Sequence, residues 1–118
     1  MTQKIKKQFG VWMDTHHATV VGRATATTED FTVLAIAGNT GAEPNNSEKN
    51  QQHKFFKEIL SHLQNAEEVH VTGTGTSQEQ LMRYMADTPQ FKNTITQEST
   101  SNKMSDENLV AYIGAKFN

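Results

Sequence analysis

The fold is decided by the stretch Phe9-Gly-Val-Trp-Met-Asp-Thr-His-His-Ala-Thr-Val-Val-Gly-Arg-Ala24. Apolar and β-branched residues fill its two halves, and the polar Thr15-His16-His17 stands between them. Two such runs with a short polar break predict a β-hairpin. A third run, Phe31–Ala37, follows the turn-forming residues Thr28–Asp30 and ends before Gly38. The first third of the chain is therefore predicted to form an antiparallel meander of three strands.

In the middle of the chain the apolar residues recur with the period of a helix. Apolar residues recur on one predicted helical face at Phe55, Phe56, Ile59, Leu60 and Leu63. Val69–Thr72 is then a short β-branched run, which predicts a fourth strand. Ser77, with Gln80 as its capping-box partner, is predicted to begin a second helix. Pro89 ends that helix, because proline cannot continue it.

The last part of the chain repeats this pattern in weaker form. Thr94–Thr96 is a brief β-branched stretch that predicts a fifth strand. Ser105 is predicted to cap a final helix, and Met104 is placed to pack on Leu109. The apolar face of this helix is Leu109, Val110, Ile113 and Phe117.

The predicted order is β-β-β-α-β-α-β-α, an α/β class. A meander followed by crossover units predicts a mixed sheet with helices packed on it, because parallel neighbours need a return path. This is the element order of ribonuclease-H-like folds. We expect one domain over residues 1–118, with residues 1–7 flexible and residues 38–52 forming an exposed loop.

The charge and the amino-acid composition exclude several classes of function. The 118 residues carry a formal net charge of −2, so whole-molecule attraction to nucleic acid is not expected. The chain has no cysteine, which excludes disulfides, thiolate zinc sites and cysteine nucleophiles. No signal-peptide core or membrane-spanning run is present in the sequence, so we expect a cytoplasmic protein with no membrane partner. We also expect no DNA partner and no cofactor. Exposed edge strands in such a sheet allow a homodimer.

Acidic and histidine residues suggest two metal sites that are each incomplete. Asp14 ends the first strand and Glu58 lies on the first helix, as a ribonuclease-H-like metal site requires, but Thr72 and Gly73 stand where a further acid is needed. Asp14, His16 and His17 lie close together at one turn, yet no second pair of ligands has metal spacing. We favour an Asx-type turn at Asp14 and solvated histidines at the turn.

The segment between the fourth strand and the second helix is a candidate anion site. Its residues are Gly73, Thr74, Gly75, Thr76 and Ser77. Glycines, hydroxyls and free amides at a helix N-terminus can hold phosphate. The segment lacks the Gly-Lys-Ser/Thr ending of a nucleotide P-loop, and short turns of this kind are often Gly-rich for steric reasons alone.

Four motifs in order resemble a known family: Gly10-Val-Trp-Met-Asp14, Ala18-Thr-Val-Val21, Glu68-Val-His-Val-Thr-Gly-Thr-Gly75, and Ser105-Asp-Glu-Asn-Leu-Val-Ala-Tyr-Ile113 with Lys116-Phe117. The family consists of small bacterial proteins labelled translational machinery proteins, which are similar to the middle domain of eukaryotic and archaeal release factors and of Pelota. The resemblance implies a ribonuclease-H-like domain that docks on ribosomal RNA or a ribosomal partner, with no metal and no catalytic acid.

One departure from the release factors bears on activity. Those proteins carry Gly-Gly-Gln in an exposed loop of this domain, whereas the corresponding region Gly38–Gln52 has Gly41 and Gln51 far apart and no Gly-Gly. Peptide release is therefore not expected.

The predicted function is a non-enzymatic, translation-associated binding module. The candidate partner-binding residues are Asp14, His16, His17, Asn45, Asn46 and Lys49. Two alternatives remain open. One is a metal-dependent nuclease or phosphohydrolase that uses Asp14 and Glu58, and the other is a protein-interaction domain unrelated to ribosomes.

Overall fold

The computed structural model describes residues 7–23, 30–38 and 48–117, with only the backbone of residues 48–50. The strands are β1 (Gln8–Met13), β2 (His17–Arg23), β3 (Phe31–Gly38), β4 (Glu68–Gly73) and β5 (Ile95–Thr100). The helices are α1 (Glu48–Ser61), α2 (Thr76–Ala86) and α3 (Asp106–Phe117), with a single 3-10 turn at Pro89–Phe91. The predicted α/β class and element order are confirmed.

The strands form one mixed sheet in the order β3-β2-β1-β4-β5. β1, β2 and β3 are antiparallel neighbours, whereas β1, β4 and β5 run parallel. Two antiparallel steps restore the direction, so β3 also points the same way as β1. The last residues of these four strands, Met13, Gly38, Gly73 and Thr100, therefore lie at the same edge of the sheet, which we term the carboxyl edge.

The larger core lies between the sheet and the helices α1 and α2. Val11, Val69 and Val71 from the central strands are fully or almost fully buried there. The predicted helical face is confirmed, because its five residues are all buried in the same cluster: Phe55, Phe56, Ile59, Leu60 and Leu63. Each such side chain stabilises the fold by roughly 1.5–3 kcal/mol on burial.

A smaller core lies under α3 on the opposite face of the sheet. Its buried members are Trp12, Val21, Leu109 and Ile113. Phe31 from β3 stacks on Phe117, with ring centroids 5.8 Å apart. The predicted apolar face of the final helix is thus confirmed.

A β-bulge in β3 lets this strand serve both cores. The pairing shifts between Val20 and Val21, which leaves Leu34 as the extra residue of β3. Val33 consequently packs with the α3 cluster, whereas Ala35 packs with the α1 and α2 cluster. A single inserted residue reverses the side-chain alternation of a strand.

Several predicted boundaries differ from the structure. The exposed loop predicted for residues 38–52 is wrong at both ends, because Gly38 is the last residue of β3 and Glu48 already begins α1. Residues 39–47 lie outside the described residues. The fifth strand continues to Thr100. Its polar residues carried no alternating signal, because a strand at the sheet edge buries little.

The chain termini show one confirmed detail and one correction. The Ser105 Oγ accepts a hydrogen bond from the Asn108 N–H at 3.2 Å, which confirms the predicted cap of α3. The N-terminal segment predicted to be flexible includes Lys7. The Lys7 N–H donates a hydrogen bond to the Glu67 carboxylate at 2.6 Å, and its Nζ donates one to the Gln64 carbonyl at 3.2 Å. Lys7 is therefore anchored, and residues 1–6 lie outside the described residues.

Candidate functional site

The carboxyl edge brings together two segments that are far apart in sequence. The turn after β1 meets the start of α2 where the Thr15 Oγ1 and the Ser77 Oγ lie 3.3 Å apart. A cavity of about 40 Å³ lies beside this contact, lined by Met13, Asp14, Thr15, Gln52, Phe55, Phe56 and Ser77. A cavity of that size has room for on the order of one or two water molecules. The candidate Asp14–His17 and Gly73–Ser77 groups therefore lie next to each other at the carboxyl edge.

Asp14 closes the turn between β1 and β2. Its Oδ1 accepts hydrogen bonds from the N–H groups of His16 and His17 at 2.8 and 2.7 Å. Its own N–H donates to the His17 carbonyl at 2.9 Å. Burial raises the pKa of Asp14, but the two N–H donors and the two imidazoles outweigh it, so the net pKa lies below its ordinary value. The predicted Asx-type turn is confirmed.

The two histidines at this turn are exposed. His16 precedes β2 and His17 is its first residue. Their rings meet edge to face with centroids 6.4 Å apart, and the His17 Nδ1 lies 3.6 Å from the Asp14 Oδ1. The turn therefore presents two imidazoles to solvent beside a carboxylate that is ionised at neutral pH.

Glycine is required at two positions in the segment between β4 and α2. A Cβ at Gly73 would overlap the Met13 carbonyl oxygen, since β1 and β4 approach closely where they end. Gly75 has φ 151° and ψ −98°, a conformation that other residues rarely adopt. These steric requirements account for both glycines whether or not an anion binds there.

Gln78 fixes this segment and was not singled out from the sequence. It is only 1% exposed. Its Oε1 accepts from the Gly75 N–H at 2.9 Å, and its Nε2 donates to the Ser99 carbonyl at 3.2 Å. The predicted cap at Ser77 with Gln80 is wrong, because Gly75 precedes the helix and Ser77 lies inside it. The usable signal was a glutamine three residues after Gly75.

The candidate anion residues differ in what they offer a ligand. Thr74 and Thr76 are exposed, whereas Ser77 is buried against Thr15. The Gly75 N–H already donates to a protein acceptor. The segment therefore presents two exposed hydroxyl side chains, and one of its amides is engaged within the protein.

A polar network lies behind the carboxyl edge on the α3 face. The Ser99 Oγ is its centre, at 2.8 Å from the His70 Nε2, 2.9 Å from the Thr72 Oγ1 and 2.8 Å from the Tyr112 hydroxyl. The Thr72 Oγ1 also lies 2.7 Å from the Ser101 Oγ. No local pattern in the sequence indicates this network, because its members come from β4, from β5 and the residue after it, and from α3.

Burial and the nearby charge of Lys116 shift the pKa values of the two ionisable groups of the network, His70 and Tyr112. Burial lowers the pKa of His70 and the positive charge of Lys116 lowers it further, while a contact with Gln97 opposes them, and the net pKa is lowered. Burial raises the pKa of Tyr112, but its hydrogen bonds and the Lys116 ammonium, whose Nζ lies 5.1 Å from the ring centroid, make the net pKa lower. His70 therefore stays neutral at neutral pH.

Glu58, the second acid of the predicted metal site, does not line the cavity beside Thr15 and Ser77. It is exposed on α1. Across the part of the chain that the structure describes, no three histidine, aspartate or glutamate side chains form a group that could hold a metal ion. Asn45 and Asn46 lie outside the described residues, and only the backbone of Lys49 is described, in the first turn of α1.

Solved structures with a similar fold are known. The chain is similar in fold to one part of Pelota. The Pelota protein of Thermoplasma acidophilum matches 92% of this chain with a TM-score of 0.61 and 15% identity. Pelota of Archaeoglobus fulgidus matches 94% with a TM-score of 0.57 and 13% identity, and an archaeal translation termination factor matches 93% with a TM-score of 0.59 and 10% identity.

The likeness covers only part of each of those proteins. This chain spans 31% of the first and 34% of the other two, about a third of their length. No protein-family model and no curated protein matches the sequence. Of the helices in the described ranges, none is both long and apolar enough to span a membrane.

Proposed function

We propose that this chain is a non-enzymatic binding module of the translation apparatus that docks on the ribosome or on ribosomal RNA. The observation that carries the proposal is the fold likeness to Pelota and to a translation termination factor over more than nine-tenths of this chain. The motifs at Gly10–Asp14 and Glu68–Gly75 support membership of the small translational machinery proteins. The proposed location is the cytoplasm, without a membrane, DNA or cofactor requirement.

The carboxyl edge is the proposed docking site. The exposed His16 and His17 project from one turn, and Thr74 and Thr76 are exposed on the adjacent one. Imidazole and hydroxyl groups donate hydrogen bonds to phosphate and sugar oxygens, which form most contacts in complexes with nucleic acid. Asn45, Asn46 and Lys49 remain proposed partner-binding residues on the basis of the sequence.

The test is co-sedimentation of the purified chain with ribosomes from its own cells, at about 50 mM and about 200 mM salt. We expect the wild type to pellet with ribosomes, and the double variant with His16→Ala and His17→Ala to pellet at least about tenfold less. The matched control is His62→Ala, because His62 is also exposed but follows the last residue of α1, at the end of that helix away from Gln52 and the carboxyl edge.

Each outcome of this experiment decides one part of the proposal. A wild type that stays in the supernatant at both salt concentrations overturns ribosome docking and favours an interaction domain unrelated to ribosomes. Equal pelleting of the wild type and the double variant overturns the assignment to the carboxyl edge. Loss of pelleting in the His62→Ala control would have the same meaning.

Absence of peptide-release activity is a separate part of the proposal. It is supported by the lack of Gly-Gly-Gln in the sequence. Addition of the chain to stalled ribosomal complexes should release no more peptide than buffer does. Release above the buffer rate would contradict this part, whatever the result of co-sedimentation.

The nuclease alternative has its own test. RNA, DNA and nucleotides are incubated with the chain and magnesium or manganese. Turnover that is lost in both Asp14→Asn and Glu58→Gln would replace the binding proposal with the enzymatic one. Turnover that survives Asp14→Asn would refute the site at Asp14 and Glu58.

A further inference from the structure

The sheet ends in two edge strands of different character. β3 and β5 each have a strand on one side only among the described residues. The outer N–H and C=O groups of an edge strand can pair with another chain, so proteins protect such edges with charges, prolines or short strands. The composition of the two edges is therefore informative.

β3 lacks the usual chemical protection. Its sequence Phe-Thr-Val-Leu-Ala-Ile-Ala-Gly contains no charge and no proline over eight residues. Leu34 is 42% exposed and Ile36 is 66% exposed. Both α1 and α3 contact this strand, so its two faces are partly covered, and no described strand pairs with its outer edge.

β5 is protected in the expected way. Its sequence Ile-Thr-Gln-Glu-Ser-Thr is polar, and Glu98 is exposed in its second half. Two copies of β5 paired antiparallel about Glu98 would set the two Glu98 carboxylates opposite each other, and like charges directly opposite each other are destabilising. The exposed Ile95, at 57%, is only its first residue.

We propose that two copies of this chain associate by antiparallel pairing of their β3 strands, which joins the two sheets into one. The bulge at Leu34 disturbs the spacing of the first half of β3, so the pairing uses residues 35–37 of the second half. The two-fold axis passes at Ile36. Ile36 then lies opposite Ile36 of the second copy, and Ala35 opposite its Ala37.

The occupant is a second copy because the strand is complementary to itself. The proposed register places no charge against a charge and sets the small Ala35 against Ala37 on either side of the Ile36 pair. A symmetric pair also buries the most exposed large apolar side chain, Ile36, twice. This inference does not depend on the proposed function.

Sedimentation velocity over a range of concentrations tests the association. The wild type is expected to form a concentration-dependent dimer. Ile36→Lys should raise the dissociation constant by roughly 100-fold or more, since it removes two buried isoleucines and opposes two charges. The matched control Ile95→Lys, at the other sheet edge, should dimerise like the wild type. A monomeric wild type overturns the proposal, and so does a dimer that Ile36→Lys leaves unchanged.

A single cysteine tests the register. The natural chain has no cysteine, so Ile36→Cys gives one reporter per copy. Residues opposite each other in an antiparallel pair have Cα atoms about 4.5–5.5 Å apart, within the range of a disulfide. Mild oxidation should link Ile36→Cys into a dimer and leave Ile95→Cys monomeric. Failure of Ile36→Cys to link in a protein that sediments as a dimer would overturn the axis at Ile36, and efficient linking of Ile95→Cys would overturn the choice of edge.

Discussion

The two faces of strand β4 lie in different environments. One face packs in an apolar core, and the other carries polar groups near the candidate site. Val69 and Val71 point to α1 and α2, into a large core without charged members. His70 and Thr72 point to the α3 side, where hydrogen bonds to Ser99 replace apolar packing. The first face packs in the larger apolar core, and the second presents polar groups next to the carboxyl edge. Adjacent residues of one strand thus serve different purposes.

The same contrast applies to the helices. α1 and α2 bury broad apolar faces, whereas α3 covers β1, β2 and β3 and reaches β5 through the Tyr112 hydroxyl. A polar interaction is worth about 0.5–1.5 kcal/mol net, while a fully buried aliphatic side chain is worth more. Substitutions on the α1 and α2 face should therefore have larger effects on stability than those in the polar network.

The largest expected effect is at Ile59, which is fully buried on α1. Ile59→Ala should lower the free energy of unfolding by about 2–5 kcal/mol, because it leaves a cavity in the main core. Ile95→Ala, at an exposed isoleucine, should change it by less than about 0.5 kcal/mol. Urea denaturation of both variants gives the comparison. A loss under about 1 kcal/mol for Ile59→Ala would contradict the assigned role of this face.

Gly73→Ala tests the junction of the two parallel strands. The added Cβ would overlap the Met13 carbonyl oxygen, so the backbone must move, at a cost of about 1–3 kcal/mol. Gly38→Ala is the control, because among the described residues its Cβ would meet only the His16 carbonyl oxygen, at 3.9 Å. Urea midpoints measure the cost, and amide shifts of Thr15 and Ser77 show whether the carboxyl edge moves. Equal midpoints for the two variants would show that this close approach is not constraining.

Gln78→Ala should cost about 1–3 kcal/mol, because it leaves buried partners on the α2 turn and on β5 without their hydrogen bonds. Gln80→Ala is the matched control on the same helix. Gln80 is exposed and accepts one hydrogen bond, from the Gln52 Nε2, so its loss should stay within about 0.5 kcal/mol. Thermal unfolding of both variants is the measurement. A larger loss for Gln80→Ala would reverse our view of which glutamine positions the turn.

The smallest expected effect is a pH dependence at His70. The pKa of His70 in the folded protein lies below its ordinary value of 6.5, so the unfolded chain binds more protons as the pH falls through 6.5. Its contribution to stability is thus complete above that pH and declines below it. Urea midpoints at about pH 7.5 and pH 5.5 should differ less for His70→Gln than for the wild type.

The exposed His62 supplies the control for this pH measurement. His62→Gln should keep the pH dependence of the wild type. If His70→Gln also keeps it in full, protonation of buried His70 does not affect stability in this range, and the polar network tolerates a charged imidazole.

Local sequence signals predicted the elements whose interactions are local or periodic. The helical period at Phe55–Leu63 identified α1, and the side chain of Ser105 caps α3 as predicted. The Asx-type turn at Asp14 was also predictable, because a carboxylate can reach the N–H groups just after it in any chain. β5 was predicted too short, since an edge strand of polar residues has no alternation to detect.

The sequence by itself determined the element order and the mixed sheet, because hydrophobic periodicity and the need for helical crossovers are properties of the chain alone. Only the tertiary structure decided that the turn at Asp14–His17 lies beside the segment Gly73–Ser77, and that Gln78 rather than Gln80 fixes the latter. It also placed Ser99 between His70 and Tyr112. These contacts join residues distant in sequence, and their geometry depends on how parallel strands end side by side, which no local pattern encodes.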